Sequence, residues 1–209
     1  MSAFKLLSLA LILLISAGCV MSKIEEPKFE IVRNYGEFEL RRYEPTVVAE
    51  TLVTGMFADS ANVGFRRLAN YIFGGNKSKT KMEMTAPVSS SPGTAPAEKI
   101  SMTAPVSQVG AGADQWLIAF TMPSKYTINT LPEPLDPLVT LREIPAATFA
   151  VIQFSGFNSA SLVAEKTAEL RSLAAKEKIS LSERAVYARY NPPWTPWFLR
   201  RNEVLIEAK

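Results

Sequence analysis

Apolar and polar side chains alternate along most of this chain, and two stretches of helical spacing interrupt the alternation. Residues 29–32 and 37–43 alternate on either side of Asn34-Tyr35-Gly36, the pattern of a hairpin around a tight turn. Residues 47–53 predict a third strand, closed by Thr54-Gly55. From about Ala61 to Phe73, Val63, Leu68 and Ile72 share one face with aromatics, which predicts a helix. Asp59 or Ser60 is its cap and Gly74-Gly75 its stop. Residues 116–122 form another strand, and a connector carrying Pro132, Pro134 and Pro137 leads to strands at 139–144 and 148–154. Ser159 or Ser161 caps a second helix that runs to about Lys178 and turns Leu162, Leu170 and Leu173 inward. Alternation returns at 185–190 and at 203–207.

One phrase occurs twice. Lys81-Met82-Glu83-Met84-Thr85-Ala86-Pro87-Val88-Ser89 is followed by Lys99-Ile100-Ser101-Met102-Thr103-Ala104-Pro105-Val106-Ser107, identical at seven of nine positions. The insert, Ser90 to Glu98, is turn chemistry, so the copies predict neighbouring strands of one sheet. Methionine, alanine and valine fall on one set of alternate positions and make that face apolar. A doubled, Met-lined hairpin suits a surface shaped for a flat apolar ligand.

A weaker repeat spans the chain. Leu40 to Pro45, an apolar strand, Gly55 and a helix are matched by Leu141 to Pro145, an apolar strand, Gly156 and a helix. The leucines and the glycines are both 101 residues apart. Two halves of strands, helix and strands predict an α+β fold with internal pseudo-symmetry and a cleft between the halves.

The first eighteen residues stand outside this plan. Lys5 and the apolar run 6–15 read as an export signal, too short to span a bilayer as a mature helix. The run ends in Ser16-Ala17-Gly18-Cys19, which resembles the lipobox of bacterial lipoproteins, and Cys19 is the only cysteine. That resemblance implies cleavage before Cys19, acylation of its thiol and, with Val20 following, outer-membrane sorting. Residues 19–27 are then a tether and 28–209 the domain. Removing residues 1–18, which carry the single charge of Lys5, leaves 191 residues and lowers the net charge from +3 to +2. So mild a balance argues against a nucleic-acid partner. The chain has no histidine, which excludes Ser-His-Asp and Cys-His nucleophilic sites, ordinary zinc sites and a histidine-ligated haem.

The C-terminal stretch carries the most specific signal. Tyr187-Ala188-Arg189-Tyr190-Asn191-Pro192-Pro193-Trp194-Thr195-Pro196-Trp197-Phe198-Leu199-Arg200-Arg201-Asn202-Glu203-Val204 resembles the C-terminal signature of the SOUL haem-binding family. Met-Thr-Ala-Pro-Val after a Lys-rich turn resembles that family's central motif, and Phe38 to Tyr43 and Phe120 to Pro123 fit its other landmarks. The resemblance covers about residue 27 to the end. It implies a distorted, pseudo-two-fold antiparallel β-barrel flanked by two helices, similar to the effector-binding domains of bacterial multidrug regulators. It also implies haem or another porphyrin, bound by a monomer in a shallow apolar cleft beside the first helix. Some relatives carry a histidine just before the tyrosine of the second strand; here that position is Arg42.

Candidate ligand contacts follow from that placement. Phe65, Leu68 and Tyr71 lie on the first helix, and Met84 and Met102 on the doubled phrase; each is either a wall of the cleft or ordinary core. Lys77, Lys79 and Lys81, with Arg42, Arg66 or Arg67, are either propionate partners or solvated surface. Trp194, Trp197 and Phe198 either rest on a membrane interface or cover the barrel end. An enzyme on the same scaffold would have to use Glu83, Glu50 or Tyr43 as acid or base. A third alternative is a structural envelope protein with a filled cleft. A buried carboxylate in the cleft would favour the enzyme, and a carboxylate-free cleft with lysines at its rim would favour porphyrin binding.

Overall fold

The structure is a computed structural model that describes residues 24–78 and 97–209. Among the described residues, eleven strands and two long helices follow one another; the two helices and the longer strands come in the order the sequence predicts, and the two-residue β4 and β7 are additions. The first half holds β1 (Phe29–Asn34), β2 (Glu39–Tyr43), β3 (Thr46–Thr54), helix α1 (Phe57–Ile72), a short β4 (Asn76–Lys77), β5 (Val106–Gly112) and β6 (Gln115–Thr121). The second holds a short β7 (Glu133–Pro134), β8 (Thr140–Ile144), β9 (Ala147–Phe154), α2 (Ala160–Lys176), β10 (Leu181–Arg189) and β11 (Asn202–Ala208). A 3-10 turn at Trp197–Leu199 precedes β11.

Nine strands form one antiparallel sheet in the order β1-β2-β9-β11-β10-β5-β6-β3-β8. Leaving out β1, this order is a palindrome about the β10–β5 pair: β2 matches β8, β3 matches β9, and β5-β6 match β10-β11. The weak sequence repeat is therefore a real two-fold. Gly55 and Gly156 show it locally, since both adopt the left-handed region, with φ of 140° and 137°, just before a helix.

The order also forces the sheet to curl. β2 and β3 stand six places apart, roughly 29 Å in a flat sheet, yet only residues 44 and 45 join them. Tyr43 and Thr46 therefore lie within about 11 Å of each other. The same holds for β8 and β9, joined by residues 145 and 146. Each half lends its first strand to the other, β2 pairing with β9 and β8 with β3. At the end where these connections cross, the two edges meet. β1 and β8 do not pair with each other, so the barrel is an open half-barrel.

α1 packs on β3 and β6 over Leu68, Ile72, Ile118 and Phe120, and α2 on β9, β10 and β11 over Leu170, Ile152, Val204 and Ile206. Ser159 caps α2 as expected, its hydroxyl accepting from the Leu162 N–H at 3.2 Å.

Two expectations fail. α1 begins at Phe57, four residues earlier than predicted, after Met56, which offers no side-chain cap. Ser60 is inside the helix and donates its hydroxyl to the Phe57 carbonyl instead. The second copy of the doubled phrase is not a strand over 99–107: apart from an isolated bridge of Thr103 to Glu25, strand pairing starts at Val106. Before that the chain packs as extended coil, with the Ile100 N–H bonded to the Ile72 carbonyl at the end of α1 and Thr103 donating to the Thr121 carbonyl. The first copy, 81–89, lies outside the described residues.

Candidate functional site

The crossing of the two short connections leaves a cavity of about 700 Å³ at the barrel end, within the usual range for small-molecule sites. Its apolar walls are Val47, Met122 and Ile144 with the rings of Tyr126 and several prolines. The first connection supplies Glu44, the end of β8 supplies Glu143, and residues 25–28 close a third side. These last residues are docked rather than trailing. The Ala104 N–H bonds to the Glu25 carbonyl, the Glu25 carboxylate accepts from the Ser124 N–H at 2.7 Å, and Glu26 pairs with Arg201 at 2.9 Å. The Ser124 backbone N–H holds the Glu25 carboxyl below the ordinary carboxylate value.

Behind this wall lies a buried ionic network. The Glu203 carboxylate, fully buried, accepts from Arg41 Nη1 at 3.1 Å, from Arg201 Nε at 3.0 Å and from the Tyr190 hydroxyl at 2.8 Å. Arg41 also donates to Glu39 at 2.6 Å. Burial pulls the Arg41 guanidinium down, but Glu203, with Tyr43 and Glu39, more than offsets it, so it stays charged. Burial, then the neighbouring Glu203 charge, pushes the Tyr190 phenol up. Arg142, equivalent to Arg41 by the repeat, pairs with the buried Glu50 of the adjacent β3, at 2.9 and 2.8 Å.

The residues singled out from the sequence do not assemble around the cavity. Leu68 and Tyr71 are core, the Tyr71 hydroxyl donating to the Pro132 carbonyl at 2.9 Å. Phe65 packs edge-on to Phe120 at 5.3 Å. Arg42 is exposed and pairs with Glu30 across the first hairpin. Lys77 is exposed on β4, opposite Glu133, and Met102 is half-exposed on the coil before β5. Lys79, Lys81, Met84, Glu83 and Cys19 lie outside the described residues. Of the acid/base candidates, Glu50 is held by Arg142 and the Tyr43 hydroxyl accepts from Arg41 at 3.4 Å; neither lines the cavity. Several lining residues sit in segments the sequence marked, such as Met122 and Pro123 or Glu44 and Pro45, but nothing there marked them as a site, because five separate segments supply the lining and only the strand crossing brings these together.

The SOUL heme-binding protein family model matches residues 24–207. This chain belongs to the SOUL heme-binding protein family. Among its relatives, human heme-binding protein 2 is 32% identical over 178 residues, covering 83% of this chain and 79% of that protein. Heme-binding protein 1 of Xenopus tropicalis is 28% identical over 168 residues, covering 80% and 81%. The C-terminal domain of EcmrR shares the fold, with a TM-score of 0.58 at 10% identity over 87% of this chain and 98% of that one. A hydrolase from Listeria innocua does so with a TM-score of 0.54 at 10% identity, over 83% and 92%. At that identity these two likenesses speak to fold alone.

How the SOUL cavity suits a tetrapyrrole divides into wall and rim. The walls are mixed: Val47, Met122, Ile144 and the prolines offer apolar surface to a flat ring, and Thr46, Thr103, Thr121, Ser124 and Thr127 line the cavity with them. For iron the described lining offers only the Met122 thioether and Tyr126. The Tyr126 hydroxyl donates to Glu98 at 2.7 Å, and burial with that bond pushes its phenol up, away from the phenolate a metal needs. The rim carries Glu25, Glu26, Glu44 and Glu143 against Lys28, so it does not match a pair of propionates. Burial of the ring, not coordination or charge, is what this lining can supply.

Proposed function

We propose that this SOUL-family domain binds haem or a related tetrapyrrole in the cavity at the barrel end, by ring burial and without an iron–histidine bond. A cavity of about 700 Å³ with an apolar patch of Val47, Met122, Ile144 and prolines carries the reading, and family membership supports it. Val47, Met122 and Ile144 would face the ring, and Lys28 would be the nearest cation for its polar edge. None of the lining glutamates is buried, which favours binding over acid/base catalysis there.

Titration of the protein with haem and with metal-free protoporphyrin tests the reading. The two should bind within about tenfold of each other, a difference of ~1.4 kcal/mol, and haem spectra should lack a bis-histidine signature. Thr46→Trp and Ser124→Trp, which fill the cavity from two sides, should each weaken binding at least about tenfold. Undiminished binding in both variants would place the ligand elsewhere, with the lysines at 77, 79 and 81 as the next site to alter. A large preference for haem over the free porphyrin would point to an iron ligand and overturn the coordination-free form.

We propose also that Cys19 is acylated and holds a monomeric domain in the bacterial envelope, on the periplasmic face of the outer membrane. The lipobox-like sequence after an apolar run supports this. Cys19→Ser should move the protein out of the membrane fraction or leave it unprocessed; unchanged membrane content would refute the anchor.

A further inference from the structure

The loop between β10 and β11 carries a concentration of exposed apolar surface that packing does not explain. Trp194 is 81% exposed, and Trp197, Phe198 and Leu199 beside it are also exposed. Phe157, from the turn before α2, stacks on Trp197 at 5.4 Å and extends the patch. Trp197 and Phe198 meet edge to face at 5.5 Å. Such a patch in water needs a partner.

This loop is held in shape. Arg200 reaches back to the Thr195 carbonyl at 2.8 Å and the Pro193 carbonyl at 2.7 Å, and among the described residues it forms no ion pair. The Gly156 N–H bonds to the Trp197 carbonyl, and the Asn191 side chain accepts from the Arg201 N–H at 2.6 Å. Pro192, Pro193 and Pro196 restrict the backbone further. The aromatic side chains are thus presented on a stiff support, with an unneutralised guanidinium among them.

The chain's N-terminal end supplies the second observation. Arg201, the last residue of this loop, is also the residue that pins Glu26. Glu26, in the stretch that follows Cys19 and the apolar run 6–15 in sequence, therefore lies beside the end of the aromatic loop. Glu26 stands seven positions after Cys19, roughly 24 Å of chain at full extension.

We propose that the loop 192–200, with Phe157, is a membrane-contact surface that rests in the headgroup region of a phospholipid bilayer and sets the orientation of the anchored domain. Tryptophan suits that position, with an apolar body and a polar N–H, and Arg200 suits the phosphates. The proposal rests on the anchoring reading. It makes the N-terminal segment a short second leg next to the first, so the cavity behind Glu25 and Glu26 is held close to the membrane surface.

The test uses the full chain reconstituted into phosphatidylcholine–phosphatidylglycerol vesicles containing lipids brominated on their upper acyl carbons. Two of the three tryptophans lie on the loop, so about two-thirds of the emission should be open to bilayer quenching and shielded from aqueous iodide. Trp194→Phe with Trp197→Phe should remove most of that quenching, leaving Trp116, whose indole N–H is bonded to the Gly55 carbonyl. Flotation separates the two readings. A chain that does not float with vesicles overturns the anchor and this proposal together. A chain that floats but whose tryptophans are quenched by iodide and untouched by bromine overturns only the contact surface. Two further results also overturn it: Trp194→Ser with Trp197→Ser converting a dimer to a monomer in detergent, or the same change abolishing porphyrin binding. The first makes the patch an interface between copies, and the second makes it a ligand site.

Discussion

Replacing Glu203 by alanine should cost about 3–5 kcal/mol, a large part of a typical domain stability of about 5–15 kcal/mol. The magnitude follows from what is left behind. Arg41, 6% exposed, would keep Glu39 and the Tyr43 hydroxyl but lose its fully buried partner; the Tyr190 hydroxyl would lose its acceptor; Arg201 would keep Glu26. The buried guanidinium dominates that sum, because its desolvation is then only partly offset. In urea, with a slope of about 2 kcal/mol/M, the midpoint should fall by about 2 M. Glu203→Gln, which keeps the shape and one acceptor, should lose less. Arg41→Leu combined with Glu203→Leu should recover most of the loss, since the buried charge goes with its partner. Equilibrium unfolding followed by circular dichroism measures all three. A midpoint shift of Glu203→Ala below about 0.5 M would refute the reasoning. So would a double variant as unstable as the sum of its parts. Because Arg201 joins this network to Glu26, limited proteolysis of Glu203→Ala should also cut faster around residues 24–28 than in the parent.

Three further outcomes follow from other contacts. Gly64→Ala should destabilise the domain by about 1–3 kcal/mol, measured by thermal melting, because its Cβ would lie 2.5 Å from Ile118 Cγ1 where α1 meets β6. Ser159→Ala should cost about 0.5–2 kcal/mol through the lost α2 cap, whereas Ser60→Ala should leave helix start and N-terminal capping unchanged. Burial holds the phenols of Tyr43, Tyr71, Tyr187 and Tyr190 above the ordinary tyrosine value of 10.0, with Tyr187 pushed up to about 12. A raised pKa favours the protonated form in the folded state, so this stability is complete below pH 10 and is lost as pH rises from there through 12. Unfolding free energy flat between pH 9 and pH 12 would contradict that assignment.

The repeat was legible because it is written in residues with backbone consequences: Leu40 and Leu141 begin equivalent strands, and Gly55 and Gly156 occupy one left-handed conformation. The start of α1 was not, because Ser60 has a capping side chain but uses it inside the helix, and the true N-terminal neighbour, Met56, has none. The phrase at 99–107 misled for a different reason. Alternation shows only that successive side chains face opposite ways, and an extended coil packed on α1 satisfies it without a partner strand. Charge at the cavity was invisible too, since Glu44 and Glu143 lie a hundred positions apart and meet only through the crossed connections.

Those crossed connections have a bearing on how the chain comes to exist as one piece. Either half by itself would lose its cross-half pairings: β2 would keep only β1, β8 would have no neighbour, and β3 and β9 would each present a bare edge. The halves complete each other as two hands do in a clasp. Cutting the chain between them, near residues 127–130, should yield fragments that stay unfolded alone and regain the sheet only when mixed, since the β2–β9 and β3–β8 pairings that lock the halves together bridge about a hundred residues. One cooperative transition, with no stable half, is the thermodynamic counterpart of a cavity whose walls come from both.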